Sequence, residues 1–465
     1  MVSSSPGSAG NSSPRASGGS SPRASAGDTP WGAAWRRCWL PVAYLEDLDR
    51  RRPTAFTLLE QDLVIWWDRR GGCWRVFADI CPHRLVPLSE GRINSAGELE
   101  CPYHGWSFAG DGHCTAIPQG GSADAIGSRR SRCRSYACSE AQGLLFVFSG
   151  EAEEASSVAL PLLPEIDQEP GAWVVQDTFR DLPYDAVTLL ENLLDASHVP
   201  FTHHRTIGRR ENAGPVNLQL DGFDADGFRG TWSEGPRRGR LGSQSTTYRA
   251  PALMWHDLTA PGFARILTAI YAVPIRRGEC RLFARFPFRF QSPLPKLLLA
   301  VRPHWLRHAA NHTVLEDDQI FLHHQERVLE SSGGSAALER SCYLPTAADL
   351  YVRALHDWIL RHDGDPFPGV PLPPRQARTA LLERYESHTR HCRVCSGALR
   401  GLRRWRRLLA PLPWLVLAAI AWLHTPAALL IGGGVALLAA LLRQKLGQWE
   451  QALLAGDGKP PRNRD

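Results

Sequence analysis

The sequence predicts an α+β multidomain chain: a small all-β domain, a larger α+β domain and a C-terminal transmembrane helical hairpin. Three observations carry this. Between Trp39 and Phe148, short apolar and aromatic runs are separated by turn residues, the pattern of strands. Between residues 165 and 390, strand-like runs are grouped with helical patterns. Leu408–Leu442 then contains no Asp, Glu, Lys or Arg. A chain of 465 residues has room for two or three separate cores. Its net charge of +6 is mild for that length and gives no case for nucleic-acid binding.

Residues 1–30 read as a disordered tail. The first 27 contain no acid and are rich in Ser and Gly, and SSPRAS occurs twice, at Ser12–Ser17 and Ser20–Ser25. The lack of acid also suits an organelle transit peptide. In the first domain, 31–150, the runs Phe56–Trp67, Trp74–Ile80 and Leu144–Phe148 predict strands, and Arg69–Gly72 and Ala109–Gly112 predict turns. A Pro- and acid-rich connection, Gly150–Pro170, leads into the second domain, 165–390. There the pattern predicts helices over Tyr184–Ser197, Gln319–Leu329 and Ala347–Leu360, and strands over Ile266–Pro274 and Arg281–Phe286.

A basic linker, 391–407, precedes the apolar segment at 408–442, and a polar tail, 443–465, follows it. One helix over that segment would run about 50 Å, well beyond a ~30 Å hydrocarbon core. His424-Thr425-Pro426 offers a turn, so two short spans are expected. A buried soluble hairpin is the competing reading. The flanking Arg400, Arg403, Arg404, Arg406, Arg407, Arg443 and Lys445 argue against it and place both ends on the cytoplasmic or stromal side.

Cys81-Pro82-His83-Arg84 is followed by Cys101-Pro102-Tyr103-His104-Gly105-Trp106. Each stretch offers one thiolate and one imidazole from a tight loop. A Rieske [2Fe–2S] centre needs two of each, thiolates on one iron and imidazoles on the other. A zinc site would more often pair Cys with Cys and His with His.

A second donor set begins at Glu191-Asn192-Leu193-Leu194-Asp195-Ala196-Ser197-His198 and continues to His203-His204. Asp195 and His198, three apart, share a helical face. His198 and His203 converge only if the helix breaks between them, and Pro200 is placed to break it. Two imidazoles and one carboxylate make the facial triad of a mononuclear non-haem Fe(II) site, with open positions for O2. Asp318 is the leading carboxylate and Asp317 the second candidate. Asp195 is expected to orient an imidazole and relay the electron. His204 is expected to lie outside the ligand set.

Eleven cysteines, an odd number, do not suggest a disulfide framework. Cys392 and Cys395 form a CxxC pair flanked by Arg390, His391 and Arg393. These neighbours would favour thiolate and make a reversible redox pair. A zinc half-site completed by His388 or His391, and a pair with no role, are the alternatives.

The two metal motifs, in this order, resemble those of the Rieske non-haem iron oxygenases. Within that family the chain looks most like the pheophorbide a oxygenase group, which includes chlorophyllide oxygenases and the Rieske protein of the chloroplast import complex. The resemblance spans about Trp35–Leu442. It rests on the Glu191–His204 run, on Tyr343-Leu344-Pro345-Thr346-Ala347-Ala348-Asp349, on Arg384–Cys395 and on the terminal apolar segment. It implies a helix-grip-like catalytic domain, a tetrapyrrole substrate and ferredoxin as electron donor. It also implies a homotrimer in which one subunit's cluster serves its neighbour's iron through Asp195. The short N-terminus leaves a cyanobacterial enzyme as open as a plastid one. No GxGxxG follows a strand, so the reductase is expected to be a separate protein. A pure electron-transfer protein, or a redox-sensing subunit of a membrane complex, is the competing function. The His198/His203 motif argues against a carrier, which needs no second iron.

Overall fold

The computed structural model describes residues 31–169, 171–232, 244–260, 263–292, 297, 301–423 and 425–456. The proposed N-terminal tail, the centre of the hairpin turn at His424 and the last part of the polar tail lie outside the described residues.

The first domain is built from three small antiparallel sheets. Leu144–Phe148 is flanked by Trp39–Tyr44 and Cys138–Ala141. Every residue of this central strand is buried, so it carries no polar alternation. Phe56–Trp67, expected as one strand, is two: Thr54–Leu58 and Gln61–Asp68 pair across Leu59-Glu60. Both turn residues have positive φ, 51° and 62°, as a two-residue hairpin turn requires. Neither is a glycine or asparagine, so the usual sequence signal is missing. Their amides donate to the carbonyls of Pro274 and Ile275, which pins this turn to the second domain. A third sheet, Arg92–Ile93, Leu99–Glu100, Ser107–Phe108 and Cys114–Ala116, closes a separate apolar core around Trp66, Phe77, Leu99 and Phe108.

The second domain is a seven-stranded antiparallel sheet. Its order is Val174–Leu182, Glu279–Phe290, Phe263–Arg276, Leu253–Ala260, Gln244–Arg249, Gly227–Trp232 and Leu218–Asp224. The helices Ala186–Leu194 and Leu350–His362 pack on it and on each other.

A third helix, His304–Ser331, is much longer than the expected Gln319–Leu329. Its buried face runs through His308, His312, Glu316, Gln319, His323 and Glu326, at helical spacing but almost wholly polar. Apolar periodicity therefore could not reveal it. Each of these groups needs a partner once buried. Glu316 accepts from the buried guanidinium groups of Arg180 and Arg384 at 2.6–2.8 Å. Glu326 accepts from the Asp185 amide and the Thr188 hydroxyl. His323 sits between the Pro183 carbonyl and the Gln376 amide.

Two C-terminal helical segments, Arg393–Leu423 and Pro426–Leu454, are long and apolar enough to cross a membrane. Trp414, Leu415, Trp422, Leu430 and Ile431 are exposed on them, which a hairpin buried in a soluble core would not allow. Thr425 caps the second helix by accepting from the Ala428 amide. That helix does not end where charge resumes after Leu442. It continues to Leu454, and Glu450 pairs with Arg403 and Arg406 on the preceding helix.

Two candidate metal centres

The two Cys/His loops are copies of one turn. In each, the cysteine amide donates to the carbonyl five residues on, Val86 or Trp106. The cysteine carbonyl accepts from the amide four residues on, Leu85 or Gly105. That fourth residue has positive φ in both, 60° at Leu85 and 71° at Gly105. The histidine stands at the second position in one turn and the third in the other, so the imidazoles leave equivalent turns from different points.

His83 and His104 lie with ring centroids 4.6 Å apart, and Trp106 stacks on His83. Cys81 and Cys101 are buried. Burial, with the Cys101 thiol alongside, pushes the Cys81 thiol up to about 12. Two adjacent buried thiols ionise together only beside a cation. The buried His83 Nδ1 has no hydrogen-bond partner among the described residues. An unsatisfied imidazole and a thiol pair at one tip fit a cluster with mixed ligands.

At the second centre the backbone departs from expectation. The helix ends at Leu194, and Asp195 is already extended. The break therefore lies before both histidines rather than between them. Pro200 sits in the first turn of a new short helix, Val199–Thr202, where its missing amide costs nothing. His198 and His203 bracket this single turn, ring centroids 5.2 Å apart. His198 Nδ1 is 2.5 Å from the Asp195 carbonyl and 3.8 Å from its carboxylate. Ser197 holds that carboxylate with its amide and hydroxyl.

The long helix brings up the acids. Asp318 lies 3.1 Å from His203 Nε2, whereas Asp317 faces the opposite nitrogen, Nδ1, at 3.5 Å. Thr206 donates to Asp317 and to the His203 carbonyl. Sequence reasoning missed Thr206, which no motif marks. Burial lowers the His203 pKa, but hydrogen bonds and charge from Asp317 and Asp318 outweigh it and raise the net value to about 9. The second oxygen of Asp318 is buried without a partner among the described residues. Donor atoms of His198, His203 and Asp318 all lie within 4.8 Å of one another. This electronegative pocket fits one divalent cation. His204 is buried, and its Nδ1 accepts from the Arg210 amide, outside the donor set.

Cys392 and Cys395 are buried, and the hydrogen bond with Cys395, together with burial, pushes the Cys392 thiol well above its usual range. Of the flanking arginines, Arg390 pairs with Glu386.

Residues 38–130 match the Rieske [2Fe-2S] domain and residues 248–336 match pheophorbide a oxygenase. Pheophorbide a oxygenase of Arabidopsis thaliana is 34% identical over 81% of this chain and 74% of its own length. Flavonoid 8-hydroxylase 2 of Ocimum basilicum is 30% identical over 84% and 79%. Chlorophyllide a oxygenase of Arabidopsis thaliana is 28% identical over 63% and 53%. All three relatives are chloroplastic. Among solved structures, dicamba monooxygenase shares the fold, with a TM-score of 0.55 at 20% identity over 71% of this chain and 99% of that one. With both donor sets and this likeness in place, the chain belongs to the pheophorbide a oxygenase family of Rieske oxygenases, iron-dependent enzymes that carry a [2Fe–2S] cluster and a mononuclear iron.

Proposed function

We propose that this oxygenase acts on a chlorophyll-type tetrapyrrole while attached to a membrane by its terminal hairpin, with ferredoxin as electron donor. The observation that carries the oxygenase chemistry is the meeting of His198, His203 and Asp318 in one pocket. Here Cys81, His83, Cys101 and His104 would hold the cluster, and His198, His203 and Asp318 would hold the mononuclear iron. The cluster would supply electron delivery and the mononuclear iron O2 activation. Asp195 keeps His198 oriented, with its Nε2 free toward the metal, and Asp317 does the same for His203.

The cluster tip and Asp195 both reach the surface: Leu85 is 74% exposed and the Asp195 side chain 31%. Two partly open sites suit electron passage between neighbouring subunits of a homotrimer. Basic residues at both ends of the hairpin favour soluble domains on the cytoplasmic or stromal face.

Support for the substrate comes from relatives named as pheophorbide a and chlorophyllide a oxygenases. The flavonoid hydroxylase, similar over a comparable length, favours a second reading, a flavonoid substrate. The test is turnover by the purified protein with ferredoxin, its reductase and O2, given pheophorbide a, chlorophyllide a and a flavone separately. Pigment oxidation is expected. Conversion of the flavone alone would overturn the tetrapyrrole reading and leave the oxygenase standing.

A further inference from the structure

His308, His388, Cys392 and Cys395 converge on one point in the interior. All four are buried, at 8%, 0%, 2% and 0% exposure, and their donor atoms lie within 4.8 Å of one another. The individual separations are more telling. His308 Nδ1 is 3.3 Å from His388 Nε2, 3.6 Å from Cys392 Sγ and 3.4 Å from Cys395 Sγ, and His388 Nε2 is 3.3 Å from Cys395 Sγ. A tetrahedron with Zn–S of about 2.3 Å and Zn–N of about 2.0–2.1 Å has edges of about 3.3 Å between nitrogens and about 3.6 Å between nitrogen and sulfur. These four edges lie within about 0.3 Å of those around one ion, and the remaining two are below 4.8 Å.

We infer that this chain carries a third metal centre, a structural zinc ion held by Cys392, Cys395, His308 and His388.

Chemistry and surroundings agree with it. Two thiolates neutralise the divalent ion, so the centre has no net charge and can be buried. Each thiol releases its proton to solvent as the ion binds, and no oxidant or reductant is required. His388 Nδ1 lies 2.7 Å from the Phe179 carbonyl, to which it donates, and this leaves the Nε2 lone pair facing the site. Of the two histidines expected to complete a half-site, His388 is present and His391 is not. His308 has no counterpart in the sequence reading, because it lies 84 residues before Cys392.

The ion would join three parts of the fold. His308 belongs to the helix that carries Asp318, ten residues or about 15 Å further along. His388 lies in the turn Tyr385–Thr389. Cys392 caps the helix Arg393–Leu409, which leads to the apolar hairpin and whose Arg393 amide donates to Asp47 of the first domain. Zinc here is a strut between the catalytic helix and the membrane segment, independent of which substrate is oxidised.

The test is elemental analysis of the purified full-chain holoenzyme, with X-ray absorption at the zinc edge. One zinc per chain is expected beside the two cluster irons and the mononuclear iron. Its shell should hold two sulfurs at about 2.3 Å and two nitrogens at about 2.0–2.1 Å. Cys395→Ser and His308→Gln should each lose the zinc and keep the cluster's spectrum, whereas Cys342→Ser should keep both. Should these variants fail to fold, the metal count and shell of the unaltered protein still decide. Full iron with no zinc, or zinc without a sulfur shell, would overturn the proposal. So would a Cys392–Cys395 disulfide in the peptide map of the metal-loaded protein, which would restore the redox pair.

Discussion

At the cluster tip, donors sit on two short turns of identical hydrogen bonding, close together in sequence and set by local backbone. At the proposed mononuclear site, donors come from the two ends of a single helical turn, Val199–Thr202, and from a long helix more than a hundred residues away. The first arrangement depends on each loop keeping its own shape. The second depends on two remote elements arriving in register. Perturbations should therefore fail differently: locally at the tip, cooperatively at the iron.

The largest expected effect is at the iron. His203→Ala removes a proposed ligand and takes the imidazole away from two buried acids, leaving Asp317 with the Thr206 hydroxyl and Asp318 with no partner among the described residues. Turnover should fall to background, and iron analysis should show loss of the mononuclear iron with the cluster's visible spectrum intact. If that spectrum disappears as well, the two centres are not structurally separable. His83→Cys comes next. Exchanging a neutral imidazole for a thiolate should lower the cluster potential by on the order of hundreds of millivolts, toward that of all-cysteine clusters. An unchanged Rieske electron paramagnetic resonance signal would remove His83 from the ligand set.

The two acids beside His203 sharpen the contrast. Asp318→Asn should cost most of the mononuclear iron. Asp317→Asn leaves the donors in place and loosens only the ring they depend on, so iron affinity should fall about 10–100-fold. Equal losses in the two variants, by iron titration, would make Asp317 a ligand. Asp195→Asn should keep every metal and slow turnover, because the carbonyl that accepts from His198 is untouched.

This difference in construction also decides what could be seen in the sequence. The turns that carry Cys81, His83, Cys101 and His104, the proposed cluster donors, are legible because they are local and the spacing is the turn. The Asp195–His203 segment could be singled out as a proposed donor set but not read as a backbone. Nothing local shows that the helix stops at Leu194, since Pro200 draws attention to a later break. Asp317 and Asp318 could not be ranked, because adjacent residues on a helix point about 100° apart and only the partner across the gap selects one. The helix that carries them begins fifteen residues before the predicted start, and its polar inner face gives no apolar period to detect. His308 was hidden for the same reason.

The smallest effect tests the claim that the two cluster turns are equivalent. Leu85 and Gly105 occupy the same position with positive φ, which costs a residue with a Cβ about 1–2 kcal/mol and glycine almost nothing. Leu85→Gly relieves that strain, while the added freedom of the unfolded chain takes back about 0.4–1 kcal/mol. The side chain is mostly exposed, so little packing is lost within the chain. Stability should change by less than about 1 kcal/mol. Gly105→Ala runs the other way: it imposes the strain, and its Cβ would meet Pro118 Cγ at 3.3 Å. It should destabilise by about 1 kcal/mol after its own entropic gain. Thermal bleaching of the cluster's visible absorption, followed in both variants, measures the pair. Equal losses in the two would mean that the turns are not copies. A loss above about 2 kcal/mol for Leu85→Gly alone would mean that the exposed leucine makes its contacts outside its own chain, as a neighbouring subunit would provide.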